Sequence, residues 1–232
     1  MTKKIFLLAL SVVVLAFLLY FGWLVWRYYG QIQRGELVDL GQGSFSAINS
    51  GTSGSAIKKV DMSQIKGIDS PFIGNANAKV QIVEFIDFTC PFSKQAFLVM
   101  RELVARYPER LGLTIRHFPL QDEAHKGGLE ASVAAVCASQ QGKFWAYHDK
   151  LFQNQKNFTQ ADLLAYSGQI GLDVSSFTKC LTSPEAIKKV ENDWGDGFGL
   201  DLRGTPTFFV SGQKVEGAVP LSAWENVITK IK

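Results

Sequence analysis

Apolar and polar positions divide the 232-residue chain into three regimes. Residues 5–26, IFLLALSVVVLAFLLYFGWLVW, run for 22 positions without a charge, and a helix that spans a bilayer needs about 20. Tyr20, Trp23, Trp26, Tyr28 and Tyr29 gather at the far end of the run, as an interfacial aromatic belt does. The pattern predicts an N-terminal transmembrane signal anchor over residues 1–29. A cleaved signal peptide is the other reading, but its apolar core is usually about 7–15 residues and a small-residue cleavage site should follow, where this chain has RYYG. Residues 30–68 sustain no period. Four Gly and five Ser among residues 41–55 mark a flexible linker, and a short helix near Ile57 to Ile65 is only weakly indicated.

Strand and helix periods alternate from residue 69 to the end. KVQIVEFIDF, residues 79–88, is β-branched and aromatic with apolar residues on both faces, as a covered central strand is. Pro91 suits the first position of the next helix, which places Cys90 at its N-cap. Phe92, Ala96, Val99, Met100, Leu103, Val104 and Tyr107 form its apolar stripe, and Pro108 stops it. LGLTIRHFPL, residues 111–120, reads as a second strand, which completes a βαβ unit. Residues 122–196 are helical in pattern. The aromatic positions Phe144, Trp145, Tyr147, His148 and Phe152 fit core packing better than a cofactor box. GTPTFFVSGQKVEG, residues 204–217, predicts a hairpin turning at Ser211-Gly212. PLSAWENVITKI closes the chain as an amphipathic helix with Leu221, Trp224, Val227, Ile228 and Ile231 on one face.

Composition narrows the chemistry. There are 24 basic and 21 acidic side chains, a net charge of +3, so nothing favours a nucleic-acid partner. The three Cys (Cys90, Cys137, Cys180) and three His (His117, His125, His148) lack metal-ligand spacing, and no metal or cofactor is expected. An odd Cys count in an exported chain suggests one pair and one free thiol. The reactive candidate is Cys90 in DFTCPFSKQAF. A helix N-terminus favours the thiolate, and its first-turn N–H groups can bond the sulfur. Ser93 stands one turn along, where its hydroxyl can donate to the sulfur. A reactive, partly exposed nucleophile is therefore expected. Glu84 sits inside the first strand. It either reaches solvent at the strand end or is buried near Cys90, where a neutral carboxyl can shuttle a proton.

Four segments in this order, EFIDFTCPFS, QGKFWAYHDKLF, IGLDVSSFTKCL and GTPTFFVSG, resemble the DsbA-like thiol–disulfide oxidoreductases of the thioredoxin superfamily. The resemblance covers about Ile68 to the C-terminus. It implies an α/β thioredoxin fold over residues 69–232 with a helical domain inserted at about 122–196. It further implies a cis Thr205–Pro206 bond beside Cys90 and contact of substrate with Thr205, Pro206, Pro91 and Phe92. Glu84 matches the acidic residue commonly found beneath the active-site Cys. Cys137 and Cys180 match a second Cys pair present in part of the family and are expected to pair, although the residues alone also permit two separate buried thiols.

Ser93 departs from the family pattern, whose resolving Cys stands at that position. A hydroxyl cannot attack a mixed disulfide. The expected activity is therefore that of a monothiol enzyme on exported proteins or peptides that carry Cys, resolved by a substrate thiol, a small thiol or a membrane redox partner. A chaperone-like peptide-binding module and a degenerate docking domain are the alternatives. Lys3 and Lys4 against Arg27 and Arg34 leave orientation weakly encoded. The thiol chemistry places the domain on the extracytoplasmic face of a single-pass membrane protein.

Overall fold

The structure, a computed structural model, describes residues 19–23 and 60–231. Residues 19–23 are helical and exposed. No helix among the described residues is long and apolar enough to cross a membrane. The rest of the predicted span 5–26, and all of the Gly/Ser stretch 41–55, lie outside the described residues.

Residues 60–68, assigned above to the linker, pack on the domain instead. Asp61 caps the short helix α1 (Met62–Ile65), and Ile65 is buried. The Val60 N–H donates to the Gly212 carbonyl at 2.9 Å, and Arg116 donates to the Ile65 carbonyl at 2.6 Å. These partners lie about 50 and 150 residues downstream, beyond the reach of any local pattern.

Next come β1 (Phe72–Gly74), β2 (Val80–Ile86), α2 (Pro91–Arg106) and β3 (Leu111–His117). β2 and β3 are parallel, from Val80 opposite Leu111 to Ile86 opposite His117. Both strands are covered on both faces, so neither alternates apolar and polar positions. The buried stripe of α2 is Ser93, Ala96, Phe97, Met100, Leu103 and Val104. Phe92, expected in that stripe, falls on its edge and is 56 % exposed.

Only helices lie between β3 and the next strand. They are a 3₁₀ turn (Glu123–His125), α3 (Gly128–Gln140), α4 (Phe144–Gln153), α5 (Gln160–Gln169), α6 (Val174–Cys180) and α7 (Pro184–Gly199). The side chains of Thr159, Asp173 and Ser183 cap the last three. Cys137 of α3 is disulfide-bonded to Cys180 at the end of α6. The helical stretch outlasts the predicted end at residue 196 because DWGDGFG remains in α7. Gly197 is needed there: a Cβ would meet the Phe118 ring at 2.6 Å.

The chain then returns through β4 (Thr207–Val210), β5 (Gln213–Glu216) and α8 (Leu221–Lys230). Sheet order is β1-β3-β2-β4-β5, with β2 and β3 as the parallel pair and the other neighbours antiparallel. The β4–β5 turn has φ 50° at Ser211 and 85° at Gly212, both positive as a two-residue hairpin turn requires. One face of the sheet carries Val80, Ile82 and Ile86 against α2, α3 and Trp224 of α8. Val83, Phe85 and Phe209 on the other face meet Ile65, Phe118 and Leu202.

A buried ionic cluster ties the helices to the sheet. Arg116 of β3 contacts Asp193 at 2.7 Å and Asp196 at 2.5 Å, both on α7, and Lys189 contacts Asp193 at 2.7 Å. The Asp193 carboxylate also accepts the His117 backbone N–H. Each buried charge is thereby partnered, the condition for keeping it out of water.

Candidate active site

β2 ends at Ile86, and the next four residues turn the chain into α2. Asp87 organises that turn. Its carbonyl accepts the Cys90 N–H at 3.1 Å. Its Oδ1 accepts the Thr89 N–H at 2.8 Å and the Thr89 hydroxyl at 2.6 Å. Its Oδ2 accepts the Leu120 N–H at 3.0 Å. Burial raises the Asp87 carboxyl above the usual carboxylate range, and the bonds from Thr89 and Leu120 offset only part of that rise.

Cys90 stands at the N-cap of α2 with extended backbone, φ −73° and ψ 124°. Two expectations are corrected here. Its sulfur makes no bond to the first-turn N–H groups, and the residue is buried at 3 % exposure rather than partly exposed. The thiol instead donates to the Thr205 carbonyl at 3.1 Å. Ser93 is fully buried; its Oγ accepts the Asp87 N–H at 3.4 Å, and no hydrogen bond joins it to the Cys90 sulfur.

Thr205–Pro206 is a cis peptide bond. Two bonds hold this loop: Thr207 Oγ1 donates to the Gly204 carbonyl at 2.8 Å, and the Gly217 N–H donates to the Pro206 carbonyl at 2.9 Å. The four residues expected to meet substrate divide into two pairs. Pro91 and Phe92 are exposed, whereas Thr205 and Pro206 are buried. Thr205 Oγ1 has no hydrogen-bond partner.

Glu84 does not reach solvent. It is 2 % exposed, opposite Ile115 on β3 and Phe208 on β4. Burial alone pushes its carboxyl up to about 8, so it is mostly protonated at neutral pH. Beside this region lies an aromatic cluster in which Phe88 packs on His117, His148 and Phe152. Burial lowers both histidines, His117 to about 4, so both are neutral at pH 7.

The site is thus a thiol at a strand-to-helix junction that meets a cis-proline loop at one end of a mixed sheet. The family described as thioredoxin matches residues 66–230. The chain belongs to the thioredoxin family. Among solved structures it is similar to a thioredoxin-like oxidoreductase from Silicibacter pomeroyi, with 27 % identity, TM-score 0.66, and coverage of 74 % of this chain and 97 % of that one. It shares the fold of the thiol–disulfide exchange protein alpha-DsbA2 from Wolbachia pipientis, with 20 % identity, TM-score 0.66, and coverage of 73 % and 90 %. Among curated proteins it is 36 % identical over 157 residues to Na(+)/H(+) antiporter NhaA 1 of Salinispora arenicola, which covers 67 % of this chain and 24 % of that protein. The chain thus spans about a quarter of the length of the curated relatives it matches.

Two residues of this thioredoxin-family site escaped the sequence reading. Asp87 had a usable signal: an acidic residue directly after an apolar strand and three before the Cys needs partners if it is buried. Gln155, in the loop after α4, donates from Nε2 to the Phe88 carbonyl at 2.9 Å and to the Cys90 carbonyl at 2.8 Å. Nothing local marks it, because its partners lie more than 60 residues upstream. A groove of about 630 Å³ also opens between residues 119–130 and α7. Its wall includes Leu120 and Gly128, which lie against Asp87, and its far side includes Val190 and Trp194.

Proposed function

We propose that this is a membrane-anchored, extracytoplasmic thiol–disulfide oxidoreductase of isomerase or reductase type that works through the single thiol of Cys90. One observation carries the reading. Cys137 and Cys180 are bonded to each other, so Cys90 is the one free cysteine, and a serine stands where a resolving thiol would be.

The Cys90 thiolate attacks one sulfur of a substrate disulfide. A Cys90–substrate S–S bond forms, and the second substrate sulfur leaves as a thiolate. A thiol from the substrate, from a small molecule or from a membrane redox partner then attacks the mixed disulfide, and the Cys90 thiolate departs. The chain uses no cofactor. Glu84 takes the Cys90 proton in its ionised form, a minority at neutral pH, and returns it when the Cys90 thiolate departs. Exposed Phe92 and Pro91 receive the polypeptide around the substrate sulfur, and Thr205 and Pro206 bound the other side. Ser93 holds the loop through Asp87 but cannot complete a dithiol cycle. The uncharged run 5–26 supports anchoring, with exported proteins or peptides as substrates.

The burial of Cys90 favours a second reading, a peptide-binding module without turnover. Ser93→Cys separates the two. With a reduced two-cysteine peptide, preoxidised Ser93→Cys should form one peptide disulfide for each enzyme disulfide reduced, whereas the wild-type chain, which has no second thiol at the site, should form none. Failure of Ser93→Cys, together with an inert Cys90, would favour the binding module.

A further inference from the structure

We infer that Gln155 is a positioning residue for the Cys90 thiol, so that the helical segment, and not only the sheet, sets the reactivity of the site. The inference rests on Cys90 acting as the nucleophile. Its observations are separate from those that assign that role.

The Gln155 side chain is a two-pronged clamp. One amide nitrogen donates to the carbonyls of Phe88 and Cys90, the residues on either side of Thr89. These carbonyls belong to the turn that aims the sulfur. The Cys90 carbonyl also accepts the Lys94 N–H at 3.2 Å, so it fixes the first turn of α2 as well. Without the amide, the Phe88 carbonyl loses its donor and the Cys90 carbonyl keeps only the Lys94 N–H, beside the position where the thiolate develops. Carbonyl dipoles stripped of a donor there oppose negative charge on the sulfur and loosen the N-cap.

The clamp is itself held in place. The Asn154 N–H donates to the Lys150 and Leu151 carbonyls, and its side-chain Nδ2 donates again to Lys150. The Asn157 N–H donates to the Asn154 carbonyl. The Tyr166 hydroxyl of α5 donates to the Asn157 carbonyl at 3.0 Å. Lys156 adopts φ 81°, a left-handed conformation rare for a side-chain-bearing residue, which lets the loop turn immediately after Gln155.

The test uses the full chain and dithiodipyridine, which takes up one Cys90 thiolate and releases one pyridinethione. Gln155→Met keeps the length and removes the donor, and it should slow this reaction about tenfold if two ordinary hydrogen bonds are lost. Gln155→Glu places a carboxylate against both carbonyls when ionised but offers one O–H donor when protonated. Its rate relative to wild type at the same pH should therefore be lowest near neutrality and recover as pH falls through the carboxyl range. A merely structural residue would not give that recovery. Exposed Gln153→Glu on the same segment should match wild type, and a melting curve checks that each variant is folded. Folded Gln155→Met reacting as fast as wild type or faster, or a Gln155→Glu ratio flat with pH, would overturn the inference. If wild-type Cys90 itself is inert, the reading of Cys90 as the nucleophile fails instead.

Discussion

The sulfur of Cys90 lies 3.1 Å from the carbonyl oxygen of Thr205, although 115 residues separate them in sequence. The contact joins the N-cap of α2 to the cis-proline loop, and Cys90 is buried there. It is a bond of the thiol, since only S–H can donate to a carbonyl. Under the proposed mechanism, attack on a disulfide requires the sulfur to lose its proton and turn away from Thr205 toward the exposed Pro91 and Phe92.

Glu84 should make stability depend on pH. From its ordinary 4.5 up to about 8, the unfolded chain has lost the Glu84 proton while the folded chain retains it. Stability from this group therefore falls as pH rises through that window. Glu84→Gln should remove the decline and exceed wild type by roughly 2–5 kcal/mol above the window. Urea unfolding at several pH values checks this, and parallel wild-type and variant profiles would refute it. The variant should still form adducts at Cys90, at a changed rate.

His117 should act on the acid side, with the opposite slope. Burial drops it to about 4 from 6.5, so between these values the unfolded chain binds the proton first and stability falls as pH falls. Both ring nitrogens are buried without a partner. His117→Leu should therefore raise stability by roughly 1–3 kcal/mol at neutral pH, by removing unsatisfied polar atoms. The gain should grow below pH 6.5. Chemical denaturation at neutral and mildly acidic pH measures both effects.

The Cys137–Cys180 bond closes a loop with a sequence separation of 43 residues between α3 and α6. Replacing both by Ala should cost about 4 kcal/mol on the chain-entropy model. For a domain of this size that corresponds to a melting temperature lower by about 8–16 °C. Cys90 should remain titratable as a single thiol before and after the change.

The sequence disclosed what depends on neighbours along the chain. β2, the Pro91 helix start and the N-cap place of Cys90 follow from an apolar run ending at a Cys-Pro step, and the Ser211-Gly212 turn follows from its own backbone needs. The cis Thr205–Pro206 bond and the Cys137–Cys180 pair were reached only through resemblance. What stayed hidden depends on partners far away in sequence. Cys90 is buried and bonded to the distant Thr205, and the docking of Val60 to Ile65 involves Gly212 and Arg116. β1 is three residues long and too short to show a period. Ser93 was expected to turn its hydroxyl to the sulfur, but its oxygen accepts the backbone N–H of Asp87 just past the end of β2, and no bond to the sulfur forms.

A Cys90 that reacts and then stalls can be observed directly by intact-mass spectrometry of the full chain incubated with a one-cysteine peptide activated as its pyridyl disulfide, whose leaving pyridinethione does not resolve the adduct. Wild type should gain one peptide adduct at Cys90, hold it, and release it when glutathione is added. Ser93→Cys should clear the adduct without added thiol, and Cys90→Ala should form none. Absence of an adduct on wild-type Cys90 while Ser93→Cys turns over, or clearance from wild type without added thiol, would contradict the single-thiol mechanism.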